Sequence, residues 1–152
     1  MQSRLQLAAA LIKLDQLDQA AQHLQQILQQ QPEHTGTWAM MADIHIRTGH
    51  STDAKDCGSH ALSIDPEHAQ ALLVTGIAFA KLGYLEDADE MLTRAIEKLP
   101  SNAHACIHLA RVCMRRQMPQ RAEIFFKRAR EINPQLRPAC VGHGNSLLRQ
   151  GR

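Results

Sequence analysis

Residues 69–102 read AQALLVTGIAFAKLGYLEDADEMLTRAIEKLPSN, and the pattern of this stretch recurs along the chain. Ala88 has counterparts at Ala20, Ala54 and Ala122, and Pro100 at Pro32, Pro66 and Pro134. Two residue types that share one 34-residue period over four cycles predict stacked supersecondary units, a solenoid. With cycles starting at residues 1, 35, 69, 103 and 137, the eighth position is Ala8, Ala42, Gly76, Ala110 and Gly144. Such small residues suit a place where two helices approach closely. Positions 4, 7, 8 and 11 follow helical spacing and define a buried stripe. Breakers stand at the fifteenth position in three cycles, as Gly49, Gly83 and Gly151. A second helix then carries Ala88, Leu92 and Ala95 here, Ala20, Leu24 and Ile27 in the first cycle, and Ala122, Phe126 and Ala129 in the fourth. The proline of each cycle falls just past that helix and stops it. Ser51-Thr52-Asp53 reads as an N-cap, and Pro119 as a first-turn proline.

The pattern therefore predicts an all-α, right-handed α-solenoid of four helix–turn–helix units, 1–34, 35–68, 69–102 and 103–136. One extra helix follows in a partial fifth repeat, 137–152. Gly58 stands inside the second helix of the second cycle, at an expected cost of about 1 kcal/mol relative to Ala, which would make that pair the softest.

Composition agrees. Apolar residues make up 44% of the 152 and aromatics 3%, so small and aliphatic side chains must build the core. No apolar stretch has the ~18 residues that a spanning helix needs. Leu7 to Ile12 lies between Gln6 and Lys13, and its Leu7, Ala8 and Leu11 fall on the repeat's own packing positions, so it reads as helix rather than leader. The four cysteines contain no Cys-x-x-Cys pair, which fits reduced thiols and a cytoplasmic protein. The net charge of +2 hides a polarity: residues 1–102 carry 7 Lys/Arg against 13 Asp/Glu, a balance of −6, whereas residues 103–152 carry 10 against 2, a balance of +8.

Trp38, Met41, Ala42, Ala54 and Pro66 in one cycle, and Gly76, Phe79, Ala88, Ala95 and Pro100 in the next, resemble the tetratricopeptide repeat (TPR). The resemblance covers essentially the whole chain. Local departures are Met41 in place of Leu, His45 in place of an aromatic, and Gly58 in place of a bulky residue.

No constellation points to catalysis, so the chain reads as a non-enzyme without catalytic residues, cofactor or metal. His104 and His108 are spaced to share a metal, but no carboxylate completes a His-Glu-x-x-His arrangement. Cys106, Cys113 and Cys140 occupy packing positions and read as buried, inert thiols, with Cys57 more accessible. The acidic run Glu86 to Glu90 opens a helix, where negative charge complements the dipole.

The resemblance implies that first helices line a concave groove. Positions facing it supply an apolar strip of Leu5, Ile12, Met40, Ile46, Leu73, Val74, Ile77, Ile107, Met114 and Val141. The competing reading is that part of this strip packs against neighbouring helices. Position 13 is basic throughout, as Lys13, Arg47, Lys81, Arg115 and Arg149, and either receives acidic ligands or serves the helix dipole. Arg111 stands where the family usually has Asn. With His104, His108, Arg115 and Arg149 it makes that end of the groove positive. The side chains with which some family members grip a terminal carboxylate are absent: the matching positions hold Leu5, Ala9, Ala39, Asp43, Leu73 and Ile77.

The expected function is a protein-interaction scaffold that binds a partner peptide or helix, apolar with some acidic character, in this groove. The alternative is an accessory array from a larger bacterial enzyme, such as a sulfotransferase or glycosyltransferase. The chain opens on the first residue of a cycle and stops at Gly151-Arg152, the turn before a second helix, so a piece of a longer protein is expected. Nucleic acid is disfavoured because the groove lacks stacking aromatics. The unpaired fifth-repeat helix, with Val141, Leu147 and Leu148, would favour self-association.

Overall fold

The computed structural model describes residues 2–151. Among them the chain forms helices only: α1 (Gln2–Lys13), α2 (Leu17–Gln30), α3 (Thr35–Arg47), α4 (Ser51–Ile64), α5 (Ala69–Leu82), α6 (Leu85–Lys98), α7 (Ala103–Arg115), α8 (Pro119–Ile132) and α9 (Arg137–Arg149). The fold is an all-α solenoid of helix–turn–helix repeats. First helices from the second cycle on start on the cycle's first residue, and every second helix ends two residues before the recurrent proline. Contacts divide the chain into two compact units, Met1–Ala78 and Phe79–Arg152.

The alanines that set the period are its most buried residues. Ala20, Ala54, Ala88 and Ala122 are completely shielded from solvent, as are Ala8, Ala42 and Ala110 at position eight. In the first unit one cluster joins Leu11 and Ile12 of α1, Leu24 and Ile27 of α2, and Met41 and Ile44 of α3. A second joins Ala39 and Ala42 of α3, Ala61 of α4, and Ala71 and Val74 of α5, and Cys57 packs against both. In the second unit Leu92 of α6, Leu109 and Val112 of α7, and Phe126 of α8 are fully or almost fully buried.

The turn between paired helices needs a left-handed residue at position 15 in every cycle. Glycine supplies it at Gly49, Gly83 and Gly151, whereas Asp15 and Gln117 adopt φ of 60°. A side chain in that region costs about 1–2 kcal/mol, so glycine marked only three of five equivalent turns. Position 34 caps α3, α5 and α7, whereas Leu136 gives α9 no side-chain cap. His34 Nδ1 accepts from the Thr37 N–H at 3.1 Å, His68 Nδ1 from the Ala71 N–H at 3.2 Å, and Asn102 Oδ1 from the Ala105 N–H at 3.0 Å. The expected N-cap in Ser51-Thr52-Asp53 is corrected: α4 already begins at Ser51, and His50 holds the cap position without a side-chain bond.

Gly58 also needs correction as a soft spot. It is buried, and a Cβ placed on it would stand 2.2 Å from Thr75 Oγ1 and 3.3 Å from the Thr75 Cα. Thr75 cannot simply turn away, because its hydroxyl donates to the Ala71 carbonyl at 2.6 Å in a buried setting. Glycine here lets α4 and α5 approach closely.

Asp89 anchors the second unit. It lies in the acidic opening of α6, yet only 6% of it is exposed. Arg116, just after α7, and Arg121, on α8, both donate to its Oδ2. Thr93 Oγ1 donates to its Oδ1 at 3.2 Å, and Arg121 also lies over the Phe125 ring. Burial would raise the pKa of this carboxyl, but the hydrogen bonds and charges of Arg121 and Arg116 outweigh it and hold the group below the ordinary range.

Two outcomes are expected from denaturant titrations. Gly58→Ala will lose about 1–3 kcal/mol through overpacking, although the same change in an open helix would be favourable, and Thr75→Ala will restore part of the loss. Asp89→Asn will cost about 1–3 kcal/mol near neutral pH by removing the buried carboxylate that Arg116 and Arg121 share, with Arg116 keeping only its longer pair with exposed Glu86. Because the folded-state pKa of Asp89 is depressed, its contribution is present above about pH 4 and lost as pH falls through the folded value. The gap between wild type and variant will therefore close in acid, and a gap independent of pH would refute the assignment.

Candidate functional site

The second unit contains a cleft of about 960 Å³ formed by α7, one side chain of α8, and α9. Its floor is apolar: Met114 of α7, Phe126 of α8, and Pro138, Val141 and Leu148 of α9. Gly142 opens the space between α8 and α9, because a Cβ there would stand 2.2 Å from the Phe126 ring. Val141 and Leu148 are 63% and 73% exposed. Four arginines ring this floor: Arg111, Arg115, Arg137 and Arg149.

These arginines fall into two kinds. Arg149 Nη1 donates to the Met114 carbonyl at 3.4 Å, and Arg115 Nη1 donates to the Ala80 carbonyl. In the first unit Arg47 Nη1 does the same to the Ile12 carbonyl at 3.4 Å. Each bond spans 35 residues and runs from position 13 to the position-12 carbonyl of the preceding first helix. The arginine ladder thus occupies the orphan carbonyls at helix C-termini. Arg111 and Arg137 make no hydrogen bond or ion pair among the described residues. Residues 103–152 contain only two acids, Glu123 and Glu131, and Glu123 already accepts from Gln150 Nε2 at 2.9 Å. The cleft is lined by four arginines and, among the described residues, by no acidic side chain.

Beside it, His104, His108 and Arg111 lie along α7, with Lys81 at the end of α5. His104, Arg111 and Lys81 are exposed, and His108 is half-buried. Burial, then Arg111, His104 and Lys81, lower the His108 pKa to about 4, so its imidazole is neutral near pH 7.

The apolar strip expected in the groove is corrected in part. Ile12, Leu73, Val74 and Ile107 are buried in the core, because neighbouring helices close over them. Met40 and Ile46 are half-buried against the two first-unit clusters, and Ile77 and Met114 are half-buried as well. Only Val141 of the strip is broadly open.

Cys106 and Cys113 are buried, and burial raises their pKa, as it does for half-buried Cys57, where Asp53 and Asp56 add to the effect. None is an activated thiolate. Cys140 is exposed rather than buried, because no described helix covers its side of α9. Sequence reasoning missed Phe126, Gly142 and Arg137 as cleft residues. The signal available was glycine opposite a bulky position-24 residue, the pairing also present at Gly58 and Thr75 with the roles reversed.

No helix among the described residues is long and apolar enough to cross a membrane. The fold matches solved structures along most of its length. It superposes on PilF from Pseudomonas aeruginosa with a TM-score of 0.85 at 18% identity, covering 98% of this chain and 68% of that one. With MamA the TM-score is 0.79 at 19% identity, covering 95% and 84%. With YrrB, described as a TPR protein with an unusual peptide-binding site, it is 0.75 at 18% identity, covering 97% and 76%. At such identities the likeness is one of fold. No curated protein gives a significant sequence match. The family described as the Cilia and flagella-associated protein 70 C-terminal domain matches residues 2–143. A match across nearly the whole solenoid makes this chain a member of that tetratricopeptide-repeat family.

Proposed function

We propose that this chain is a non-catalytic scaffold that binds an amphipathic, acidic segment of a partner protein in the α7–α9 cleft. The observation that carries this reading is the exposed floor of Val141 and Leu148 beside Arg111 and Arg137, two cations that have no hydrogen-bond or ion-pair partner among the described residues. Apolar surface open to water is stabilised by a covering side-chain stripe, and an unpaired guanidinium favours a carboxylate. The description of YrrB as a peptide binder supports the same use of the fold here. The family's description directs the search for the natural partner to proteins of cilia and flagella. The exposure of Val141 and Leu148 also favours a second reading, self-association through α9, which light scattering over a concentration series would detect as growing particles.

A fluorescein-labelled peptide of alternating Leu pairs and Glu pairs is a suitable probe. Arg111→Glu will weaken its binding by roughly tenfold or more, since the reversed charge faces the probe's carboxylates, while circular dichroism stays that of the wild type. Equal affinity for both proteins would overturn the assignment.

A further inference from the structure

The stripe on α7 next to the cleft is an electrostatic imbalance that the fold itself does not use. His104, His108 and Arg111 stand at i, i+4 and i+7 and so share one helix face, and the charge of Lys81, in the last turn of α5, also acts on His108. None of the four makes a hydrogen bond or ion pair with another group among the described residues, and no carboxylate lies among them. Several other cations of this fold are employed: Arg47, Arg115 and Arg149 on helix carbonyls, and Arg116 and Arg121 on Asp89. The half-buried imidazole of His108 thus feels the charges of Arg111 and Lys81 and makes no hydrogen bond with another described residue. Such a set repels a further positive charge and attracts an anion.

We infer that Lys81, His104, His108 and Arg111 form a subsite for a carboxylate of the partner segment, and that filling it draws a proton from solvent onto His108. The inference rests on the binding reading above and names the part of the site that recognises acid. The charged and titratable groups acting on His108 are Arg111 and His104 on its own helix and Lys81 from α5. A bound carboxylate sits against all three and offsets their repulsion. The free ring nitrogen then takes up a proton, and the resulting imidazolium donates to the carboxylate oxygen. A single carboxylate, with one negative charge and two acceptor oxygens, matches one imidazolium and the adjoining Arg111. The partner would therefore be held more tightly in mildly acidic conditions, while the arginine rim continues to bind it at neutral pH. Glutamate side chains remain mostly ionised down to about pH 5, so the ligand keeps its charge over the range in which His108 gains its own.

The test measures anisotropy of the same Leu/Glu peptide and of a matched Leu/Gln peptide at about pH 7.5 and about pH 5.5. A histidine that becomes protonated only in the complex predicts a rise in affinity of roughly tenfold for the Glu peptide on acidification. The Gln peptide should show no such rise, and His108→Gln should remove it. In parallel, the imidazole NMR titration of His108 in wild-type protein should move to higher pH when the Glu peptide saturates it. Equal affinity at the two pH values, or a titration that does not move, would overturn the subsite and leave the cleft reading standing. A rise that persists in His108→Gln would overturn it as well, and so would displacement of both peptides alike by millimolar inorganic phosphate. Absence of binding at either pH would overturn the cleft reading, and the subsite with it.

Discussion

Close contact between neighbouring helices at small residues is the constraint on which this structure depends. Alanine at positions 8 and 20 removes side-chain bulk where helices meet, and those alanines have no exposed surface in the first four cycles. With so few aromatics available, stability must come from many short-range aliphatic contacts, which demand near approach. Where alanine is still too large the chain uses glycine. Gly58 admits Thr75, and Gly142 admits the Phe126 ring. Both positions set the distance between helices, and the second also shapes the cleft.

Charge is distributed by the same repeat but put to different uses. The position-13 arginines have lost their freedom to helix carbonyls of the preceding repeat, which ties the C-terminal turns of those first helices to one another. Arg116 and Arg121 converge on Asp89, a buried carboxylate held ionised by them. Among the cations left over, Arg111 and Arg137 lie beside the open floor, and Arg111 and Lys81 act on neutral His108. A surface with surplus positive charge next to exposed Val141 and Leu148 is what a scaffold needs in order to select an amphipathic acidic segment over a merely apolar one.

Much of the fold was legible because the 34-residue period repeats a physical requirement. Small residues recur at closest approach, and proline recurs where the second helix must stop, so the helices could be placed from Ala88 and Pro100 alone. The site was less legible. Leu73, Val74 and Ile107 sit at nominal groove positions, but their burial depends on how far neighbouring helices close over them, a distance that no residue type specifies. Arg115 and Arg149 look identical to free ligand-binding arginines until their carbonyl partners, 35 residues away, are known.

The sequence by itself determined the number, order and limits of the helices and the polarity of charge along the chain, since these follow from local propensity and from composition. Only the tertiary structure decided that Gly58 is a packing contact, that Asp89 binds two arginines, and that Arg111 and Arg137 have no partner among the described residues beside an apolar floor. Those properties arise between helices that the chain brings together, where a difference of one methyl group or one hydrogen bond sets whether a side chain is core, staple or ligand contact.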